Sequence, residues 1–209
     1  MKRLVFALMF TLIYCGINAQ VLTTPPDRDD EFRTIFDGEN LKIGAFGGPM
    51  MTFSTINGEF SHMMGGGGGI IIGGFYFGGY GMGLTNNINY PKVDPNDPDE
   101  HIEFGHGGFM TGFAIKGNSA IHPVINTLIG WGNVSIENDN LSLSGVFNTK
   151  EDGVFVFEPS LQMEMNFTKF FRVAVGCGYR LVSSLDLENL TNDDFSGISA
   201  SLTLKFGWF

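Results

Sequence analysis

The chain has 209 residues, with Lys+Arg 12 against Asp+Glu 22 and a net charge of −10 at pH 7. That balance excludes a nucleic-acid binder, which needs a basic face. Charged residues at 16% and aromatics at 13% exclude bulk disorder, and no apolar run reaches the roughly 18 residues of a membrane helix.

Residues 1–19 have the three-part layout of a secretory signal peptide. Lys2 and Arg3 are followed by an apolar stretch from Leu4 to Cys15, broken by Thr11, and by Ile17-Asn18-Ala19 with a small residue at a cleavage position. A rival reading puts a lipid on Cys15, between Leu12 and Gly16, but Tyr14 stands where such signals carry a small residue. Export leaves Cys177 as the remaining thiol, so no internal disulfide is expected. Residues 20–40, with Pro25-Pro26 and Asp29-Asp30-Glu31, read as a polar arm. One domain is expected over 41–209.

Beyond the arm, period-2 alternation broken by Gly, Asn and Asp clusters predicts eight strands: 41–55, 60–72, 75–85, 102–115, 120–136, 154–166, 169–182 and 197–208. The last three alternate most cleanly, whereas the first five leave their faces unassigned. Gly65 to Gly69 lacks the following Lys-Ser or Lys-Thr of a phosphate loop, and Ile70-Ile71-Ile72 favours strand over helix. Gly79, Gly81 and Gly83 alternate and are expected to face the lumen. The second, fourth and sixth gaps between strands are short, and the third, fifth and seventh are long. Short turns at one end and long loops at the other form the layout of an eight-stranded antiparallel up-and-down transmembrane β-barrel.

Alternation alone leaves open which face is outside. Three features favour lipid against the apolar face. The opposite faces of the last two strands are rich in Gly, Ala, Ser and Thr, which suit a narrow, filled lumen. The polar faces carry Glu158, Glu164, Arg172, Arg180 and Lys205, which can pair inside and would be costly in lipid. Aromatics such as Phe155, Phe157, Phe170, Tyr179 and Trp208 gather near the strand ends, as interfacial girdles do. With Phe167-Thr168-Lys169 as a turn, Glu164 faces Arg172 and Glu158 lies diagonal to Arg180. The five charges are therefore expected to form a structural network that plugs the lumen.

The three long loops hold more than half of the acidic residues. Solvated charge is the plain reading of such runs. A weak divalent-metal candidate is Asp94, Asp97 and Asp99, which lacks the closing Glu of a calcium loop. His62, His101, His106 and His122 form no HExxH, and neither a CxxC nor a GxSxG elbow occurs. His122 with Ser119, or His106 with a loop Ser, are the pairs an interfacial lipid enzyme could use, yet no full nucleophile–base–orienter set can be named.

Phe209 ends the chain after an alternating strand. With Lys42-Ile43-Gly44-Ala45-Phe46-Gly47-Gly48-Pro49, Phe77-Gly78-Gly79-Tyr80-Gly81-Met82-Gly83-Leu84 and Gly178-Tyr179-Arg180, it resembles a group of small uncharacterised outer-membrane β-barrel proteins of Gram-negative bacteria. The resemblance covers most of the chain after the signal and implies fold and location, not chemistry. One departure is that Phe206 and Trp208 are in phase with the apolar face and Phe209 is not. The expected protein is non-catalytic and cofactor-free, with a structural or surface-recognition role in the cell envelope. Its expected partners are outer-membrane lipid, the barrel-assembly machinery and an external partner that the sequence does not identify. The alternatives are a small pore, an interfacial lipid-modifying enzyme, and a soluble periplasmic barrel that binds an apolar ligand.

Overall fold

The structure, a computed structural model, describes residues 42–90, 100–138, 150–187 and 189–209. The expected signal peptide and polar arm lie outside the described residues. The strands are β1 (Ile43–Ile56), β2 (Glu59–Ile72), β3 (Phe75–Leu84), β4 (Ile88–Asn89), β5 (Glu100–Ala114), β6 (Ile121–Asn138), β7 (Lys150–Asn166), β8 (Phe171–Ser183) and β9 (Gly197–Trp208). A four-residue helix, α1 (Asn192–Phe195), precedes the last strand.

All pairings are antiparallel, and two of them close the ring: β1 with β9, and β3 with β5. The two residues of β4 resume the pairing that β3 leaves. Gly83 lies opposite Gly105, and Ile88 lies opposite Ile102. The barrel therefore has eight staves, one of them interrupted. At the interruption the chain leans toward β2: Thr85 N–H donates to the His62 carbonyl at 2.9 Å, and Asn86 Oδ1 accepts from His62 N–H at 2.7 Å. This break was not legible in the sequence, because Asn86-Asn87 reads as the start of a loop.

Turn chemistry fixes the hairpins. Asn57 and Gly58 have φ of 49° and 76°, and Gly73 and Gly74 have φ of 60° and 94°. Two left-handed residues in a row are what a two-residue hairpin turn with matching twist requires. The β7–β8 connection is longer than expected. Thr168 Oγ1 accepts from the N–H groups of Phe170 at 3.2 Å and Phe171 at 2.9 Å, which holds residues 167–170 in a four-residue turn. Asn166 consequently lies opposite Arg172, and Glu164 opposite Ala174. The expected direct Glu164–Arg172 register is therefore shifted by two. A shift of two keeps every side chain on its own face, and a shift of one would have reversed them all.

The burial pattern alternates along each stave. Phe46, Met50, Tyr76, Tyr80, Met82, Phe104, Met110, Leu128 and Val156 point inward and are buried, as are Glu158, Glu164, Arg180 and Lys205. Lumen glycines make room for the large ones. A Cβ on Gly130 would fall 2.6 Å from the Tyr80 hydroxyl, and one on Gly112 would fall 2.5 Å from that of Tyr76. The expected inward facing of Gly79, Gly81 and Gly83 is corrected: they alternate with the inward Tyr80 and Met82, so they face outward.

Candidate functional site: the filled lumen and the apolar wall

The charged lumen residues separate into two groups, one at each end. At the turn end, Glu164 on β7 sits among three cationic or imidazole side chains from β6, β8 and β9. Its Oε2 accepts from Lys205 Nζ at 2.7 Å, and its Oε1 accepts from Arg172 Nη1 at 2.9 Å. His122 Nε2 lies 3.3 Å from the same Oε1, while its Nδ1 is 3.1 Å from the Ser119 carbonyl. A carbonyl only accepts, so Nδ1 carries the proton. Aromatic faces complete the packing. Lys205 Nζ is 4.6 Å from the Tyr76 ring centre and 5.0 Å from that of Phe46, and Arg172 lies 3.7 Å over the Phe209 ring. Phe209 lies past the end of β9 and caps the turn end, which accounts for its phase.

At the loop end the organising residue is Arg180, which is 0% exposed. Its Nε donates to the Phe195 carbonyl at 2.8 Å, its Nη2 to Ser54 Oγ at 2.8 Å, and its Nη1 approaches Met63 Sδ at 3.1 Å. Residues 184–187 and 189–196 fold into the barrel mouth. Phe195 is buried edge-on against Phe104, with ring centres 5.3 Å apart, and Leu190 is buried in the same apolar cluster. The segment is tied at further points. Asp194 Oδ2 accepts from Thr191 N–H at 2.7 Å, Asn57 N–H donates to the Asp194 carbonyl at 2.8 Å, and Val182 N–H donates to Ser196 Oγ at 3.0 Å. Asp152 accepts from the backbone of Asp186.

Glu158 lies between the two groups. Its Oε1 accepts from Ser199 Oγ at 2.6 Å, and among the described residues no ion pair joins it to Arg180. The five expected lumen charges thus all lie in or against the lumen, but they do not make one chain of pairs. Sequence reasoning did not single out Ser54, Ser199, Tyr76 or Phe195. The [ST]-x-x-[DE] spacing of Thr191 and Asp194 is a helix-start signal that marks the plug segment.

The candidate catalytic histidines are engaged otherwise. His122 meets the main-chain carbonyl of Ser119 rather than its hydroxyl. His106 Nδ1 lies 3.0 Å from the Tyr80 hydroxyl. Asp94, Asp97 and Asp99 lie outside the described residues, and among the described residues no group of three His, Cys, Asp or Glu side chains could hold a metal.

The outer wall is apolar. Trp208 is 79% exposed, Trp131 60% and Leu161 58%, with Ile125, Phe109 and Met163 also outward. Aromatics cluster at both rims. Trp131 and Phe155 meet edge-on at 5.7 Å toward the loop end, and Phe171 stacks on Phe206 at 4.9 Å at the turn end. A soluble protein rarely exposes so continuous an apolar surface. An outward apolar band between aromatic girdles, around a filled interior that also holds the buried charges, is the construction of a small outer-membrane barrel. The protein is an outer-membrane β-barrel, with its longer loops at one end. The outward glycines leave a shallow depression of about 650 Å³ in this wall, bounded by Gly83, Gly105, Gly107, Trp131 and Asn133.

No family model matches the chain, and no curated protein matches it. Among solved structures it is similar to Neisserial surface protein A, with a TM-score of 0.49 and 10% identity over 81% of this chain and 99% of that one. It is also similar to the N-terminal β-barrel domain of Pseudomonas aeruginosa OprF, with a TM-score of 0.46 and 11% identity over 81% and 100%. A third similar structure is Ail, the attachment invasion locus protein of Yersinia pestis, with a TM-score of 0.45 and 13% identity over 80% and 97%.

Proposed function

We propose that this protein is a non-catalytic outer-membrane barrel that acts through its outer wall and its loop end, with a lumen that serves as a closed structural core. The observation that carries this reading is the filling of the lumen at both ends. The stretch around α1, residues 189–196, is latched over the loop end by Arg180. The Glu164 cluster occupies the turn end under Phe209. Eight staves leave room for side chains and not for an aqueous channel. The lumen charges hold facing staves together, and the acidic loops are the part offered to an external partner. Assembly proceeds through the barrel-assembly machinery that inserts such chains.

Three alternatives are separated by direct measurements on the outer-membrane fraction. A heat-modifiable gel band that survives a carbonate wash is expected, whereas release by the wash would favour a soluble barrel. In planar bilayers no conductance above that of the pure bilayer is expected, and a reproducible channel would overturn the closed-core reading. No fatty-acid release from phospholipid is expected. Release that His122→Ala abolishes would make the protein an enzyme.

A further inference from the structure

We propose that the turn end of the lumen binds a small inorganic anion, held by Lys205 and Arg172. Charge counting inside the barrel points there first. Away from the turn end, the lumen holds one carboxylate, Glu158 near its middle, and one guanidinium, Arg180. At the turn end it holds one carboxylate, Glu164, against both Lys205 and Arg172. Counting the side chains of this cluster alone, the turn end therefore carries one cation more than it has carboxylates. The excess is held where water screens it poorly: the side chains of Lys205 and Glu164 are 4% and 3% exposed, and that of Arg172 is 13% exposed. An uncompensated charge so placed is costly, and a counter-ion offsets the cost.

Donor chemistry points to the same place. An ammonium has three N–H donors and a guanidinium five. Among the described residues, each of these two side chains has one hydrogen-bond acceptor, and Glu164 provides both. The rest of Lys205 faces the Tyr76 and Phe46 rings, which attract the cation but occupy no lone-pair position.

There is space for the ion. A cavity of about 70 Å³ is lined by Lys205, Arg172, Lys42, Glu164, Tyr76 and Phe209. That exceeds the roughly 10–15 Å³ that one ordered water needs on the same measure. It suits chloride or one compact oxyanion and is too small for a lipid headgroup with its chains.

The test uses the full barrel refolded in detergent micelles, with chloride as the probe. Chloride NMR line width is read at fixed sodium concentration, and inorganic sulfate is then added as competitor. The wild type is expected to broaden the line beyond the empty micelle, and sulfate is expected to remove that excess. Arg172→Gln and Lys205→Met, each checked for the unboiled gel band of a folded barrel, are expected to lose the excess. Lys116→Gln and Lys169→Gln change exposed cations at the same end and are expected to keep it. No excess in the wild type, or an excess equal in folded Arg172→Gln and Lys205→Met, would overturn the proposal. If neither variant folds, wild-type crystals soaked in bromide decide: an anomalous peak between Lys205 Nζ and Arg172 supports the site, and its absence removes it.

Discussion

Glu164 is where the lumen is most exposed to a single change. Glu164→Gln keeps the shape of the side chain but removes the charge that two cations share. Two charge-assisted bonds, at 2.7 Å to Lys205 and 2.9 Å to Arg172, are weakened together. Hydrogen bonds to charged groups contribute about 1.5–3 kcal/mol each. The Arg172 half is discounted because solvent reaches that side chain, and the Gln carbonyl retains one acceptor. The expected loss is about 3 kcal/mol, at the low end of the ~3–5 kcal/mol seen when one partner of a buried pair is removed. Urea unfolding in lipid vesicles, followed by tryptophan fluorescence and by the unboiled gel band, measures it. Double-mutant cycles then apportion it. Coupling of Glu164 to Lys205 is expected at about 2 kcal/mol and to Arg172 at about 1 kcal/mol, within the range found for contacting residues. Replacing Glu164, Lys205 and Arg172 together by Leu, Met and Leu is expected to cost far less than Glu164→Gln alone, since a well-packed apolar set can match a buried ionic one. A loss below about 1 kcal/mol for Glu164→Gln, or a larger coupling to Arg172 than to Lys205, would refute the reasoning.

Arg180→Met is expected to release the plug, because the Phe195 carbonyl and Ser54 Oγ lose their donor; a protease specific for acidic residues should then cut within 184–196 on intact vesicles, and unchanged resistance would speak against the latch. Depth in the wall can be read with arginine. Leu161→Arg, midway along the outward face of β7, is expected to cost ~2–4 kcal/mol, and Gly153→Arg, at the loop-end rim, ~0–1 kcal/mol. Equal costs would sink the assignment of that face to lipid. Cys177 is exposed on the outer face of β8. It should react with an apolar maleimide dissolved in the bilayer and be spared by a charged, impermeant one; equal labelling by both would place it in water.

The last three strands were legible because their two faces differ in chemistry. Phe171, Val173, Val175 and Cys177 alternate with Arg172, Ala174, Gly176 and Gly178, and the structure puts the second set inside. In β2 and β3 the contrast fails, since glycine occupies both faces: Gly67 and Gly78 point in, and Gly66 and Gly79 point out. There the facing is decided by Met63, Tyr76 and Tyr80, whose bulk must go either into the lumen or into lipid, and the sequence does not say which. The hairpin test on β7 and β8 illustrates a different limit. It misjudged the turn by one residue and the register by two, yet it brought Glu164 and Arg172 together, because long side chains reach diagonal neighbours. It missed the partners that matter as much. Lys205 reaches Glu164 from 41 positions away, and Ser54 meets Arg180 across 126. In a closed barrel a lumen charge finds its partners across the interior as well as along the ladder. Spacing within one hairpin exposes only the ladder contacts, so the parity of the strands was readable and the wiring of the lumen was not.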